Sequence, residues 1–246
     1  MGFFARLSPG IDERAQYRAL RQRFGELMSA CYGTLKSDEV RAMSRRLDLD
    51  PWDSPLGDPH TTEVAIFDAA VFHDLRGGET AVARFRRNLP VDASELDHRI
   101  VDGWQGYRWS IFEICSINRG LKVVLRDSLD GIERTVWDLD LAGGARVGLR
   151  AAFRIVPIGD HWVTTGAAIG LDESIQALIV EHLPADMQEP ARWPAWGTSE
   201  RNRLILQLIV GLHAGPLARR FKIPSKGPCP CGSGKKFKHC CGKDRG

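Results

Sequence analysis

Four of the six cysteines lie within the last 18 residues, as Cys229-Pro-Cys231 and, eight residues later, Cys240-Cys241. Four thiols packed so closely leave a chain few options: they crosslink, or they share a metal ion. The charge is just as uneven. From Arg219 to Gly246 nine basic residues stand against one acid, Asp244, a net of +8 in 28 residues. Residues 1–218 carry 25 basic and 30 acidic side chains, a net of −5. An acidic body with a short, basic, cysteine-dense tail is hidden inside an overall charge of only +3.

The spacing C-x-C, eight residues, C-C suits a tetrahedral Zn²⁺ site in which each cysteine pair supplies two corners. The eight intervening residues must fold the chain back, and Gly232-Ser233-Gly234 provides a turn that tolerates positive φ. Four thiolates around Zn²⁺ leave a formal charge of −2, which Lys235, Lys236 and Lys238 offset, and Phe237 is the one large apolar side chain in the loop, placed to cap the site. A disulfide cluster is the alternative. The chain opens Met1-Gly2-Phe3-Phe4-Ala5-Arg6 without the basic start and long apolar stretch of a signal peptide. Thiols in a cytoplasmic setting stay reduced, and a bridge between vicinal Cys240 and Cys241 would be strained. His239 is a competing donor, since imidazole also binds zinc. The Gly232-Ser-Gly-Lys-Lys run superficially suggests a phosphate loop, but the Walker spacing fails at its Lys and Ser/Thr positions.

The run Cys229-Pro-Cys231-Gly-Ser-Gly-Lys-Lys-Phe-Lys-His-Cys240-Cys241-Gly resembles the SEC-C motif, a zinc module found at the C-terminus of the bacterial secretion ATPase SecA and in many otherwise unrelated bacterial proteins. The resemblance covers about 20 residues and includes the ligand spacing, the Gly-Ser-Gly-Lys-Lys turn and the aromatic at position 237. It implies one structural Zn²⁺ held by Cys229, Cys231, Cys240 and Cys241, the fourth position being Cys or His across the family. It also implies docking. In SecA the module is a tethered finger that engages the chaperone SecB and the ribosome. Lys235, Lys236, Phe237 and Lys238 are the corresponding partner-binding candidates here. The residues before the tail do not resemble SecA, so the likeness transfers a zinc fold and a docking tendency, not an ATPase.

The rest has the composition of an ordinary folded domain, 43% hydrophobic and 26% charged. Its longest apolar run, Leu204 to Leu212, is nine residues and contains Gln207, too short for a bilayer span. Steps of three and four place Tyr17, Leu20, Phe24, Leu27, Met28 and Cys31 on one stripe of a helix over residues 12–31. A second helix fits 38–47, with Ser37 as N-cap and Val40, Met43 and Leu47 inward. A proline-rich loop follows, then a helix from about Glu63 to Leu75 burying Phe67, Ala70, Val71 and Leu75, then shorter helices over 79–88 and 92–104. Near Tyr107 the pattern turns to aromatic and β-branched residues. Strands are expected over 107–117, 121–126, 132–137, 147–156 and 161–165, with Asp130-Gly131 as a hairpin turn. Cys115 falls in the first of these with no partner at ligand spacing. After Leu171 helix returns, with Asp172 as N-cap, Ile175, Leu178, Ile179 and Leu183 as its stripe and Pro184 as its stop. Residues 184–198 form a connection containing Trp193 and Trp196, and Ser199 caps a buried helix reaching about His213.

The expected fold class is therefore α+β. Residues 1–106 form a helical region, 107–170 a small antiparallel β sheet or barrel, 171–218 helices packing on the body, and 219–246 a linker and zinc knuckle. The expected location is cytoplasmic, with no membrane involvement. No nucleophile elbow, zincin or dinucleotide motif appears. Pairs such as His73-Asp74, Asp97-His98, Asp160-His161 and Glu181-His182 are adjacent in sequence but point in different directions, so they are not dyads. Three readings of function follow: an adaptor whose zinc finger docks on a protein partner or the ribosome; an RNA or DNA binder that reads with its barrel; an enzyme of unrecognised class that uses the tail as a targeting device. The second has little behind it in the barrel segment. Lys122, Arg126, Arg134, Arg146, Arg150 and Arg154 are countered there by Asp127, Asp130, Glu133, Asp138 and Asp140.

Overall fold

The computed structural model describes residues 12–47, 49, 59–73, 79–118 and 120–171, and single positions between 176 and 183, 205 and 209, and 235 and 239. It begins with α1, Glu13–Tyr32, capped by the Asp12 carboxylate on the Arg14 amide at 3.0 Å, and all six residues of the expected stripe are buried. Helix α2, Ser37–Leu47, buries Met43 and Leu47 while Val40 is half-buried. Its N-cap is Lys36, one residue earlier than the sequence pattern indicates. The Lys36 carbonyl accepts from the Val40 amide, and the Glu39 carboxylate reaches back to the Lys36 amide at 2.9 Å, so a glutamate substitutes for the missing serine cap.

Helix α3 runs Pro59–Phe72, four residues ahead of the expected start. Proline suits the first helical position because its absent N–H would have no partner there anyway, so Pro59 starts the helix. Ala70 and Val71 are buried as expected, but Phe67 is only half-buried; Ala65, Ile66, Ala69 and Phe72 fill the interior from the other sides. Helices α4, Ala81–Arg87, and α5, Glu95–Gly103, follow, the latter held by a reciprocal cap between Ser94 and Asp97 and continued by one 3-10 turn, Trp104–Gly106.

Five strands then close a barrel: β1 Arg108–Ile117, β2 Lys122–Asp127, β3 Glu133–Trp137, β4 Arg150–Ile158 and β5 His161–Leu171. Their order is β1-β2-β3-β5-β4, with β4 returning to β1. All pairings are antiparallel except one. β3 and β5 run parallel through Val136 opposite Trp162 and Trp137 opposite Val163. The barrel is thus mixed where the sequence reading has it antiparallel, because a five-stranded sheet of this order can close only by bringing strands 3 and 5 side by side. A short helix absent from the sequence reading, α6 at Leu139–Gly144, links β3 to β4 and turns Ala142 into the barrel interior.

Alternation along the strands separates two surfaces. Phe112, Ile114, Val123, Leu125, Val136, Phe153 and Ile155 fill the barrel. The other faces of β1, β4 and β5 meet helices: Trp109, Ile111, Ala152 and Ile169 share a core with α2 and α3, and Trp137, Val156, Ile158 and Val163 share one with α1 and α5. Strand β4 is covered on both sides and accordingly reads Ala-Ala-Phe-Arg-Ile-Val, nearly all apolar. Ile179, Leu183, Ile205, Leu206 and Ile209 are buried in the same cluster as α2 and α3. At the seam between α5 and β4, a Cβ on Gly103 would lie 2.0 Å from the Pro157 carbonyl oxygen, so only glycine fits.

Candidate functional site

Of the tail, the structure describes Lys235, Lys236 and His239. All three are exposed, and the His239 amide donates to the Lys236 carbonyl at 2.8 Å. Cys229, Cys231, Cys240 and Cys241, with Phe237 and Lys238, lie outside the described residues. Among the described residues no group of three or more His, Cys, Asp or Glu side chains converges as a metal site would. The tail's own donor set, four cysteine thiols, is of the soft kind that suits tetrahedral Zn²⁺. The two remaining cysteines are elsewhere: Cys31 is fully buried, and Cys115 is half-buried on β1 with its thiol toward the Glu113 carbonyl at 3.8 Å.

The outer face of β2 and β3, opposite the barrel interior, carries paired charges. Lys122 pairs with Glu13 at 2.8 Å, Arg126 with Glu133 at 2.8 Å, and Arg150 with Glu113 at 3.3 Å. Val124 is half-buried and Thr135 exposed between these pairs, and the exposed large apolar side chains of the described residues are all aliphatic. The charges cancel locally and offer neither a basic track for phosphates nor an aromatic platform for bases.

One end of the barrel is closed by ions. Arg108 donates to Asp127 at 2.6 Å and approaches Asp130 at 3.1 Å, while Arg134 pairs with Asp130 at 2.8 Å. Ser110 also donates to Asp127, at 2.7 Å. Burial alone would raise the Asp130 carboxyl, but hydrogen bonds from Arg134 and the Ile132 amide, with the Arg108 charge beside them, hold it below the ordinary carboxylate range. Two arginines and two aspartates make a formally neutral plug of paired charges.

A second buried pair ties the barrel to the helices. Arg154, 1% exposed on β4, donates three hydrogen bonds to Asp68 on α3, at 3.1, 3.2 and 2.7 Å. Its guanidinium packs against both the Phe72 and Tyr107 rings, 3.9 and 4.2 Å from their centroids. The sequence reading set Arg154 against acids within the β region; its partner is 86 residues away. The available signal was a charge in the middle of each of two apolar runs, Ile-Phe-Asp68-Ala-Ala and Ala-Phe-Arg154-Ile-Val, since isolated charges are not buried without partners.

Of the four histidine and acid neighbours, Asp97-His98 and Asp160-His161 fall wholly within the described residues, while Asp74 and His182 lie outside them. Asp97 is engaged by Arg23 at 2.6 Å and not by the exposed His98, and His161 stacks on Trp137 with ring centroids 3.8 Å apart. Burial and the nearby Lys122 charge lower the His161 pKa. No helix among the described residues is long and apolar enough to cross a membrane.

Comparison with known proteins separates body from tail. Residues 228–243 match the SEC-C motif. The tail is similar to the "Protein translocase subunit SecA" of Campylobacter curvus, 68% identical over 28 residues that are 11% of this chain and 3% of that protein. The SecA of Treponema pallidum is 56% identical over 32 residues, 13% of this chain and 4% of its own length. A longer stretch, 67 residues or 26% of this chain, is 39% identical to the SecA of Burkholderia multivorans and covers 7% of it. The chain thus spans well under a tenth of these relatives, and the likeness is confined to short segments of them. No solved structure matches. Residues 11–190, which hold the helical layer and the whole barrel, match a family model described as "Family of unknown function (DUF7986)", so the chain belongs to the DUF7986 family and carries a SEC-C motif after it.

Proposed function

We propose that this DUF7986 protein is a zinc-carrying docking protein, in which the SEC-C tail is the contact element and the barrel-and-helix body is the part it delivers. One structural Zn²⁺ is held by Cys229, Cys231, Cys240 and Cys241, and four sulfur ligands leave no open position for a catalytic water. Lys235, Lys236, Phe237 and Lys238 form the contact surface toward an acidic protein face or the ribosome. The observation that carries this reading is the SEC-C match at residues 228–243, coinciding with a +8 tail on a −5 body. The ion-paired outer face of β2 and β3 supports docking through the tail over nucleic-acid reading by the barrel.

The test is co-sedimentation of the full-length chain with ribosomes and crosslinking to protein partners, beside a variant with all four tail cysteines changed to serine. Zinc-dependent association that is lost in the variant supports the reading. Association that survives the loss of all four cysteines contradicts it. A steep fall of single-stranded RNA affinity with salt in a chain lacking residues 219–246 would favour the nucleic-acid alternative.

A further inference from the structure

A cleft of 420 Å³ opens between α1, α3 and β5, within the size range of small-molecule sites. Its apolar wall is Phe24, Met28 and Val64. Its polar side chains are those of Arg21, Ser29, Tyr32 and Thr165, and each can donate a hydrogen bond; the described lining contains no carboxylate. Arg21 is held in place without being neutralised. Its Nη1 donates to the Thr164 carbonyl at 2.7 Å, and the guanidinium lies 5.4 Å from the Phe24 ring centroid. Among the described residues no carboxylate pairs with it, unlike its helix neighbour Arg23, which pairs with Glu26 and Asp97. Burial raises the Tyr32 phenol above its ordinary value, so its hydroxyl stays protonated as a donor.

We infer that this cleft is a binding site for a small amphipathic anion, a carboxylate or sulfonate with an apolar body, its head on Arg21 and the hydroxyls of Tyr32 and Thr165 and its body against Phe24, Met28 and Val64. A half-buried arginine beside apolar walls favours such a ligand twice over: the charged hydrogen bonds are stronger out of water, and the apolar body removes surface from solvent. Gly25 lines the same cleft, and a Cβ built there meets nothing within 4 Å, so a larger side chain at this exposed helical position enters the cleft without displacing the core. The site is independent of the SEC-C tail.

The experiment is titration of the full-length protein with 8-anilinonaphthalene-1-sulfonate, followed by fluorescence, with far-UV circular dichroism confirming the fold of each variant. Saturable binding at one site is expected, displaced by octanoate and not by octanol. R21Q is expected to weaken binding by about tenfold or more, the loss of one charged hydrogen-bonding partner. G25L is expected to abolish it, and V147S, at an exposed apolar residue elsewhere, to leave it unchanged. If G25L does not fold, R21Q against R21K decides, since the lysine keeps the charge and should retain part of the affinity. Absence of saturable binding, equal affinity in R21Q and wild type, or displacement by octanol as effective as by octanoate would overturn the assignment.

Discussion

Replacing Asp68 with alanine should be among the most damaging single changes in the body. The carboxylate accepts three hydrogen bonds from Arg154, which is 1% exposed, so the variant strands a guanidinium where water does not reach. Removing one partner of a buried pair costs about 3–5 kcal/mol. The Phe72 and Tyr107 rings at 3.9 and 4.2 Å remain and offset about 1 kcal/mol of that, leaving a predicted loss of about 3 kcal/mol. For a domain of this size that is a fall in Tm of roughly 6–12 °C. The double variant D68L/R154M replaces both ions by apolar groups and should recover to within about 1 kcal/mol of the parent. Urea unfolding monitored by circular dichroism at 222 nm measures all three proteins. A D68A variant within about 1 kcal/mol of wild type, or a double variant as unstable as the single one, would refute the view of this pair as a buried, mutually dependent unit.

Asp97 offers a pH test. The Arg23 hydrogen bond, with the Ser94 cap, holds its carboxyl at about 2. A depressed carboxylate stabilises the fold fully above its unfolded value near 4 and loses that contribution as pH falls toward 2, so D97N should flatten the stability profile between about pH 4 and 2 and little elsewhere. With Arg23 partly exposed, the contribution at neutral pH is about 1–2 kcal/mol, read from paired urea melts at pH 7 and pH 3. G103A should cost about 2–4 kcal/mol, since its Cβ must displace the Pro157 carbonyl from 2.0 Å; a thermal melt unchanged from wild type would show that the seam yields easily. Burial pushes the Cys31 thiol up to about 12, so it should stay unreactive toward Ellman's reagent at pH 8 until the body unfolds; fast modification of Cys31, identified by mass spectrometry, would contradict its place in the core.

The helices that bury one stripe were readable because the pattern and the structure obey the same geometry. All six residues marked on α1 by steps of three and four are buried. Helix α3 was harder, since it lies between α2 and the barrel and has no polar face to set its phase. The hairpin at Asp130-Gly131 is local, and Gly131 adopts a φ of 71° in it. The parallel β3–β5 seam joins only Val136–Trp162 and Trp137–Val163 and depends on barrel closure, which nothing in those few residues encodes. Pro157 reads as a turn and yet lies within β4. Pairing with β1 ends at Ile155, so at position 157 the strand is bonded on one side only, where a missing N–H is tolerated. For α6, six residues ending in Gly143-Gly144 carry too little periodicity to register. Of the candidate site, the tail was legible because its cysteine spacing is local chemistry. The cleft was not, because Arg21, Val64 and Thr165 come together only through the packing of α1, α3 and β5.

Docking through the tail depends on the four tail cysteines holding a metal ion. Elemental analysis of the freshly purified, reduced full-length chain tests it most directly, with the same measurement on the variant carrying serine at positions 229, 231, 240 and 241. About one zinc per chain is expected in the first and none in the second, with the barrel-and-helix body still folded in both because metal binding and folding are coupled only in the tail. Zinc absent from the reduced wild-type chain, or retained in the four-serine variant, would contradict it.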